Sequence, residues 1–137
     1  MKNLAKNRSG SGYIDVIVGV LASTLLLVFC LNAFTLITAK MNLDHYTKEL
    51  VKTATIDGQI STNITTRRTQ LTAETGIVPH TVTWNTTYFN ATQRTVQFGD
   101  KIEVTVTYRT RFLGFGAFSI PVTLTSTHSG LSQRYFK

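Results

Sequence analysis

The chain has 137 residues, 14 basic and 7 acidic side chains, a formal net charge of +7 and a single cysteine. That length limits it to one folded domain outside any membrane segment, and the lone Cys30 excludes an intrachain disulfide and a cysteine-built metal centre. Four of the 14 basic residues lie at or before Lys40, and the pairs Arg67-Arg68 and Arg109/Arg111 are too sparse for a nucleic-acid-binding stripe, so no nucleic-acid partner is expected.

Residues 1–10 form a basic leader containing Lys2, Lys6 and Arg8 and no acid. Residues 16–39 are 24 positions free of Asp, Glu, Lys, Arg and His. As a helix rising about 1.5 Å per residue they would cover roughly 36 Å, more than the ~30 Å hydrocarbon core of a bilayer. A chain this small has too little else to bury such a helix on every side. The stretch also exceeds the roughly 7–15 apolar residues of a secretory signal, and Ile37 spoils a small-residue cleavage match at Thr38-Ala39. Lysine and arginine favour the cytoplasmic side, so the N-terminus is predicted inside and residues 41–137 outside.

Beyond Lys40 the apolar pattern becomes periodic. Leu43, Tyr46, Leu50, Val51 and Ala54 form one stripe of an amphipathic helix, and Ile56, Ile60, Ile64 and Leu71 a second row. Asp57-Gly58 is the first place where a kink is cheap. Gly76 and Pro79 mark the helix end. Residues 13 to about 74 are therefore expected to form one long helix or two nearly coaxial ones. The rest reads as strands. In KIEVTVTYRTRF, residues 101–112, Ile102, Val104, Val106, Tyr108 and Phe112 alternate with Glu103, Thr105, Thr107, Arg109 and Arg111, the pattern of a half-buried antiparallel strand. Val82, Trp84 and Tyr88 suggest an earlier strand. Ile120, Val122 and Leu124 suggest a later one, with Pro121 favouring an edge or strand start, and Leu131 to Phe136 a last one. Phe98-Gly99-Asp100 and Ser129-Gly130 are turn candidates, and LGFGA, residues 113–117, a glycine-punctuated connection or bulge.

The predicted fold class is α+β: a long N-terminal transmembrane helix continuing into an amphipathic helix that covers a small antiparallel sheet. The expected segments are a cytoplasmic leader (1–10), a transmembrane helix (11–40), an amphipathic helix (41–76) and a sheet module (77–137).

Catalytic chemistry has little to stand on. His45, His80 and His128 fall one per predicted element, with no metal-ligand spacing. No G-x-S-x-G elbow follows a strand. The acids Asp57, Glu74, Asp100 and Glu103 show no spacing that selects a pair. No catalytic, cofactor or metal site is expected, and the chain does not read as an enzyme. Phe112, Phe115 and Phe118 are a candidate partner contact, weighed against the reading that at least two of them are core.

Asp15 stands alone at the mouth of the apolar stretch. Taken by itself it is an interfacial acid that complements the positive end of a helix dipole. The residues before it offer a second reading. Counted from Gly10, Ser11 is at +1 and Asp15 at +5, behind a basic leader and ahead of an apolar helix. This layout, with KIEVTVTY at 101–108 and FSIPVTLTST at 118–127, resembles type IV pilin-like proteins, most closely the short TadE-like pseudopilins. It also resembles a family of short single-span proteins from mobile elements of Gram-positive bacteria. The resemblance implies cleavage by a prepilin peptidase after Gly10, leaving Ser11 as the new N-terminus. It implies that Asp15 offsets the terminal ammonium of a neighbouring subunit. Helix packing with other pilin-like subunits would use the small residues Gly19, Ala22 and Ser23. The function implied is a pseudopilin structural subunit of a filament, secretion or conjugation machine. The chain departs from the family in having Asp where Glu is usual, and Gly12 offers a second cleavage point. The alternative is an unprocessed single-span accessory protein that binds a partner through its extracytoplasmic sheet.

Overall fold

The computed structural model describes residues 9–115 and 118–137. The order of elements is α1 (Ser9–Asp57), α2 (Thr62–Thr75), β1 (Thr81–Thr86), β2 (Lys101–Phe115) and β3 (Phe118–Leu131). The chain divides into two compact units, Met1–Thr35 and Leu36–Lys137. The first carries the apolar half of α1. The second contains the hydrophobic core.

That core follows the predicted stripe. Leu43, Tyr46, Leu50, Val51 and Ala54 of α1 are buried together with Ile102, Val104 and Val106 of β2. Ile64 and Leu71 of α2 complete it with Ile77 and Val96 from the connections. The sheet is antiparallel in the order β1-β2-β3. Its inner face alternates as the sequence predicts, with Trp84, Val104 and His128 side by side across the three strands. The outer face carries threonine rows such as Thr83, Thr105 and Thr127, and the last two hydroxyls lie 2.9 Å apart. β-branched threonine suits a solvated pleated face. β3 is an edge strand and accommodates Pro121 opposite Arg111. The β2–β3 register shifts between Phe112 and Phe115, the expected bulge.

Three expectations are corrected. The amphipathic segment is not one helix or two coaxial ones. Gly58 ends α1 at a φ of +62°, and α2 folds back along it. Contacts pair Asp57 with Asn63, Glu49 with Arg67 and Asn42 with Thr75, the falling and rising numbers of an antiparallel hairpin. Ile56 consequently leaves the buried row and is exposed. Secondly, Leu131 to Phe136 form no strand beyond the end of β3. The N–H of Ser132 goes to the Asp100 carbonyl and that of Gln133 to the Thr55 carbonyl, which satisfies one of the free carbonyls at the end of α1. Thirdly, Ser129-Gly130 is not a turn but part of β3. Gly130 lies against α1, where an added Cβ would come within 2.7 Å of Thr55 Cγ2 and 3.1 Å of Val51 Cγ1. The glycine serves close packing rather than chain reversal. Gly76, in contrast, ends α2 in the left-handed conformation as predicted, its N–H bonded to the Thr72 carbonyl at 3.0 Å. Gly99 likewise adopts a positive φ in the turn before β2.

Gly130→Ala is expected to destabilise the full chain by about 1–3 kcal/mol through overpacking. The added Thr55→Ser substitution removes the nearest clashing methyl and should recover part of the loss. Thermal unfolding of the single and double variants in detergent checks both.

Candidate functional site

α1 presents its first half as a bare apolar cylinder. Tyr13, Val16, Leu26 and Phe34 are each more than 60 % exposed, and none of the most apolar window of the helix is buried. Leucine, valine and alanine carry the helix through this stretch without proline. Four of its polar side chains turn back on their own backbone. Ser23 Oγ donates to the Gly19 carbonyl and Thr24 Oγ1 to that of Val20, both at 2.8 Å. Asn32 Nδ2 donates to Val28 at 2.9 Å and Thr35 Oγ1 to Leu31 at 3.0 Å. Such internal satisfaction is what a hydrocarbon solvent demands.

Gly10 and Ser11 fall in the first turn of α1. Asp15, Gly19, Ala22 and Ser23 follow at spacings of four, three and one, so they share one helix face. All four are exposed. Among the described residues the Asp15 carboxylate has no ion-pair partner. The structure therefore places the assembly residues predicted from sequence on one uncovered face. Of the three phenylalanines, Phe112 is half-buried on β2. The leader residues 1–8, the tip residues Gly116 and Ala117, and the side chains of Ser11, Phe115 and Phe118 lie outside the described residues.

Sequence reasoning missed a polar clamp in the second unit. The inner face of β3 changes character along its length, from Ile120, Val122 and Leu124 to Ser126, His128 and Gly130. Asp44 on α1 faces the polar part. Ser126 Oγ donates to Asp44 Oδ1 at 2.5 Å and Lys40 Nζ donates to the same oxygen at 3.0 Å. Lys40 Nζ also donates to the Thr125 carbonyl, and His128 Nε2 lies 3.9 Å from Asp44. Partial burial alone would raise the Asp44 carboxyl. The hydrogen bonds from Ser126 and Lys40, with the positive charge of Lys40 and the nearby imidazole of His128, outweigh it and hold the carboxyl below its ordinary value. The one available signal was an apolar alternation that continued in phase with polar residues, opposite an acid on the covering helix. Among the described residues no cluster of three or more His, Cys, Asp or Glu could hold a metal ion.

Together, one long uncovered apolar helix and a small α+β unit have the features of a single-pass membrane protein. The chain belongs to the family described as Domain of unknown function (DUF4320), whose model matches residues 20–137. The match begins at Val20, so Gly10, Ser11, Asp15 and Gly19 lie before it. No curated protein and no solved structure matches the chain.

Because the folded Asp44 carboxyl is the more acidic, its contribution to stability is present above the ordinary value of 3.8 and is lost as pH falls through the lower folded value. The melting temperature of Asp44→Asn should accordingly fall less than that of the wild type between about pH 5 and pH 3. Parallel slopes would mean that the clamp carries no linkage.

Proposed function

We propose that the chain is a pilin-like, pseudopilin structural subunit of a filament, secretion or conjugation machine, anchored with its N-terminus in the cytoplasm and residues 41–137 outside. The observation that carries this reading is the exposed face of α1 on which an unpaired Asp15 stands one turn from Gly19, with Ala22 and Ser23 beyond it. Inside an assembled bundle of apolar helices an acid is costly unless a charge meets it. A neighbouring subunit's N-terminal ammonium, freed by cleavage after Gly10, supplies that charge. The small residues allow the helices to approach closely. The role is structural and needs no cofactor, with prepilin peptidase and other pilin-like subunits as partners.

One observation favours a second reading. The family match omits the processing segment. An unprocessed accessory protein would keep its leader and offer its sheet to a partner within a secretion or conjugation complex. The uncovered threonine face of β1, β2 and β3 supports that reading.

Intact mass of the protein purified from its native membrane separates the two. A mature N-terminus at Ser11 supports the subunit reading, and an intact Met1 supports the anchored accessory protein. Under the first reading Asp15→Ala remains in the membrane but no longer cross-links to neighbouring subunits. If the variant cross-links normally, the charge-pairing role is wrong.

A further inference from the structure

Arg67 and Arg68 are adjacent in sequence yet have opposite fates. Arg67 is consumed by acids, at 3.2 Å from Glu49 and 3.3 Å from Glu74. Arg68, about 100° further around α2, is half-buried, and among the described residues it has no ion-pair partner. It lies where two surface cavities meet. One, of about 390 Å³, lies along the first half of α2 and reaches Trp84 and Arg94. The other, of about 420 Å³, reaches Tyr46 and Pro79. Thr65 and Arg68 line both, and no aspartate or glutamate lines either.

Two hydroxyls beside this groove are buried without a hydrogen-bond partner. Tyr46 is fully buried, lines the second cavity, and its hydroxyl has no hydrogen-bond partner. Ser61, at the N-cap of α2, makes no capping bond, and its buried Oγ is likewise unpartnered. Buried hydroxyls are normally satisfied, so two orphans beside one groove call for a functional account. The first turn of α2 holds no acid to offset the positive end of the helix dipole. Arg94, across the first cavity, is held at a φ of +51°. It is the only non-glycine residue with a positive φ among the described residues. Its carbonyl accepts from the Ile60 N–H at 3.1 Å, which fixes the loop against the start of α2. Strained backbone of this kind persists where the surroundings enforce it and is concentrated at ligand sites.

Two guanidiniums without an ion-pair partner among the described residues, orphan hydroxyls and a helix N-terminus suit an anion with several acceptor oxygens. Guanidinium pairs bidentately with phosphate. Trp84 adds a flat apolar wall for whatever the phosphate is attached to. We propose that the α2 groove centred on Arg68 binds a phosphate ester, with Arg68 and Arg94 holding the phosphate and Trp84 flanking the esterified group. The same chemistry is offered by a soluble polyol phosphate and by an anionic lipid headgroup. The proposal stands whether or not α1 assembles with neighbours.

Trp84 is the only tryptophan in the chain, so its fluorescence reports on this groove. The full chain in neutral detergent would be titrated with glycerol phosphate, alongside Arg68→Gln, Arg68→Lys, Arg94→Gln and the control Arg109→Gln on the outer sheet face. A saturable change is expected, weakened about tenfold in Arg68→Gln and Arg94→Gln, partly restored in Arg68→Lys and unchanged in Arg109→Gln. A second arm places the chain in nanodiscs of zwitterionic or anionic lipid without added phosphate. A Trp84 response to anionic lipid that Arg68→Gln abolishes assigns the phosphate to a headgroup. A response to glycerol phosphate alone assigns it to a soluble ester. The absence of a saturable response in both arms overturns the proposal, as does equal weakening in Arg109→Gln, which would reduce the effect to net charge. Circular dichroism and the retained Arg67 pairing guard against misfolding as the cause.

Discussion

The buried seam between the second half of α1 and the inner face of the sheet is the interaction on which the outer unit depends. One cysteine means no covalent brace, and a three-stranded sheet cannot hide its own apolar face. Leu43, Tyr46, Leu50, Val51 and Ala54 provide the cover, and α2 folds back to close its flank with Ile64 and Leu71. Two features position that seam. Gly130 lets β3 approach Val51 and Thr55 without a clash. Asp44 pins the other end of the contact through Ser126 and Lys40. Apolar packing supplies most of the driving force, and the charged clamp fixes which part of the helix meets which part of the strand.

A single helix is thereby written for two solvents. Between Val16 and Ala39 every face is apolar, and the hydroxyls of Ser23, Thr24 and Thr35 are bonded to the helix itself. From Leu43 onward the apolar residues narrow to one stripe, because only one side is buried by protein. An uncovered apolar helix in a small protein has to be covered by lipid, by other helices, or by both. The pilin-like reading uses both, which is why Asp15 and the small residues beside it bear most of the functional argument.

Charge is distributed with a similar economy. Glu49 and Glu74 neutralise Arg67, and Glu103 is engaged by Lys101 and Asn85, whose contacts hold its carboxyl below the ordinary value. Asp44 is enclosed by Lys40, Ser126 and His128. Among the described residues without an ion-pair partner are Asp15 on one unit and Arg68 and Arg94, which line one groove, on the other.

The sequence by itself determined the apolar span, the stripe that buries, the alternation of β2 and the stop at Gly76, because each is a local period or a local backbone requirement. It also placed Asp15, Gly19, Ala22 and Ser23 on one helix face, since helical spacing alone decides that. Only the tertiary structure decided that α2 reverses along α1 rather than extending it. A glycine permits a kink and a reversal equally, and the burial of Leu71 selects between them. The same holds for Gly130, which reads as a turn until Val51 and Thr55 are seen against it. The Asp44 clamp and the Arg68 groove were illegible for a related reason. Each joins residues far apart in the chain, and whether a charge is paired or free depends on neighbours that no local pattern records.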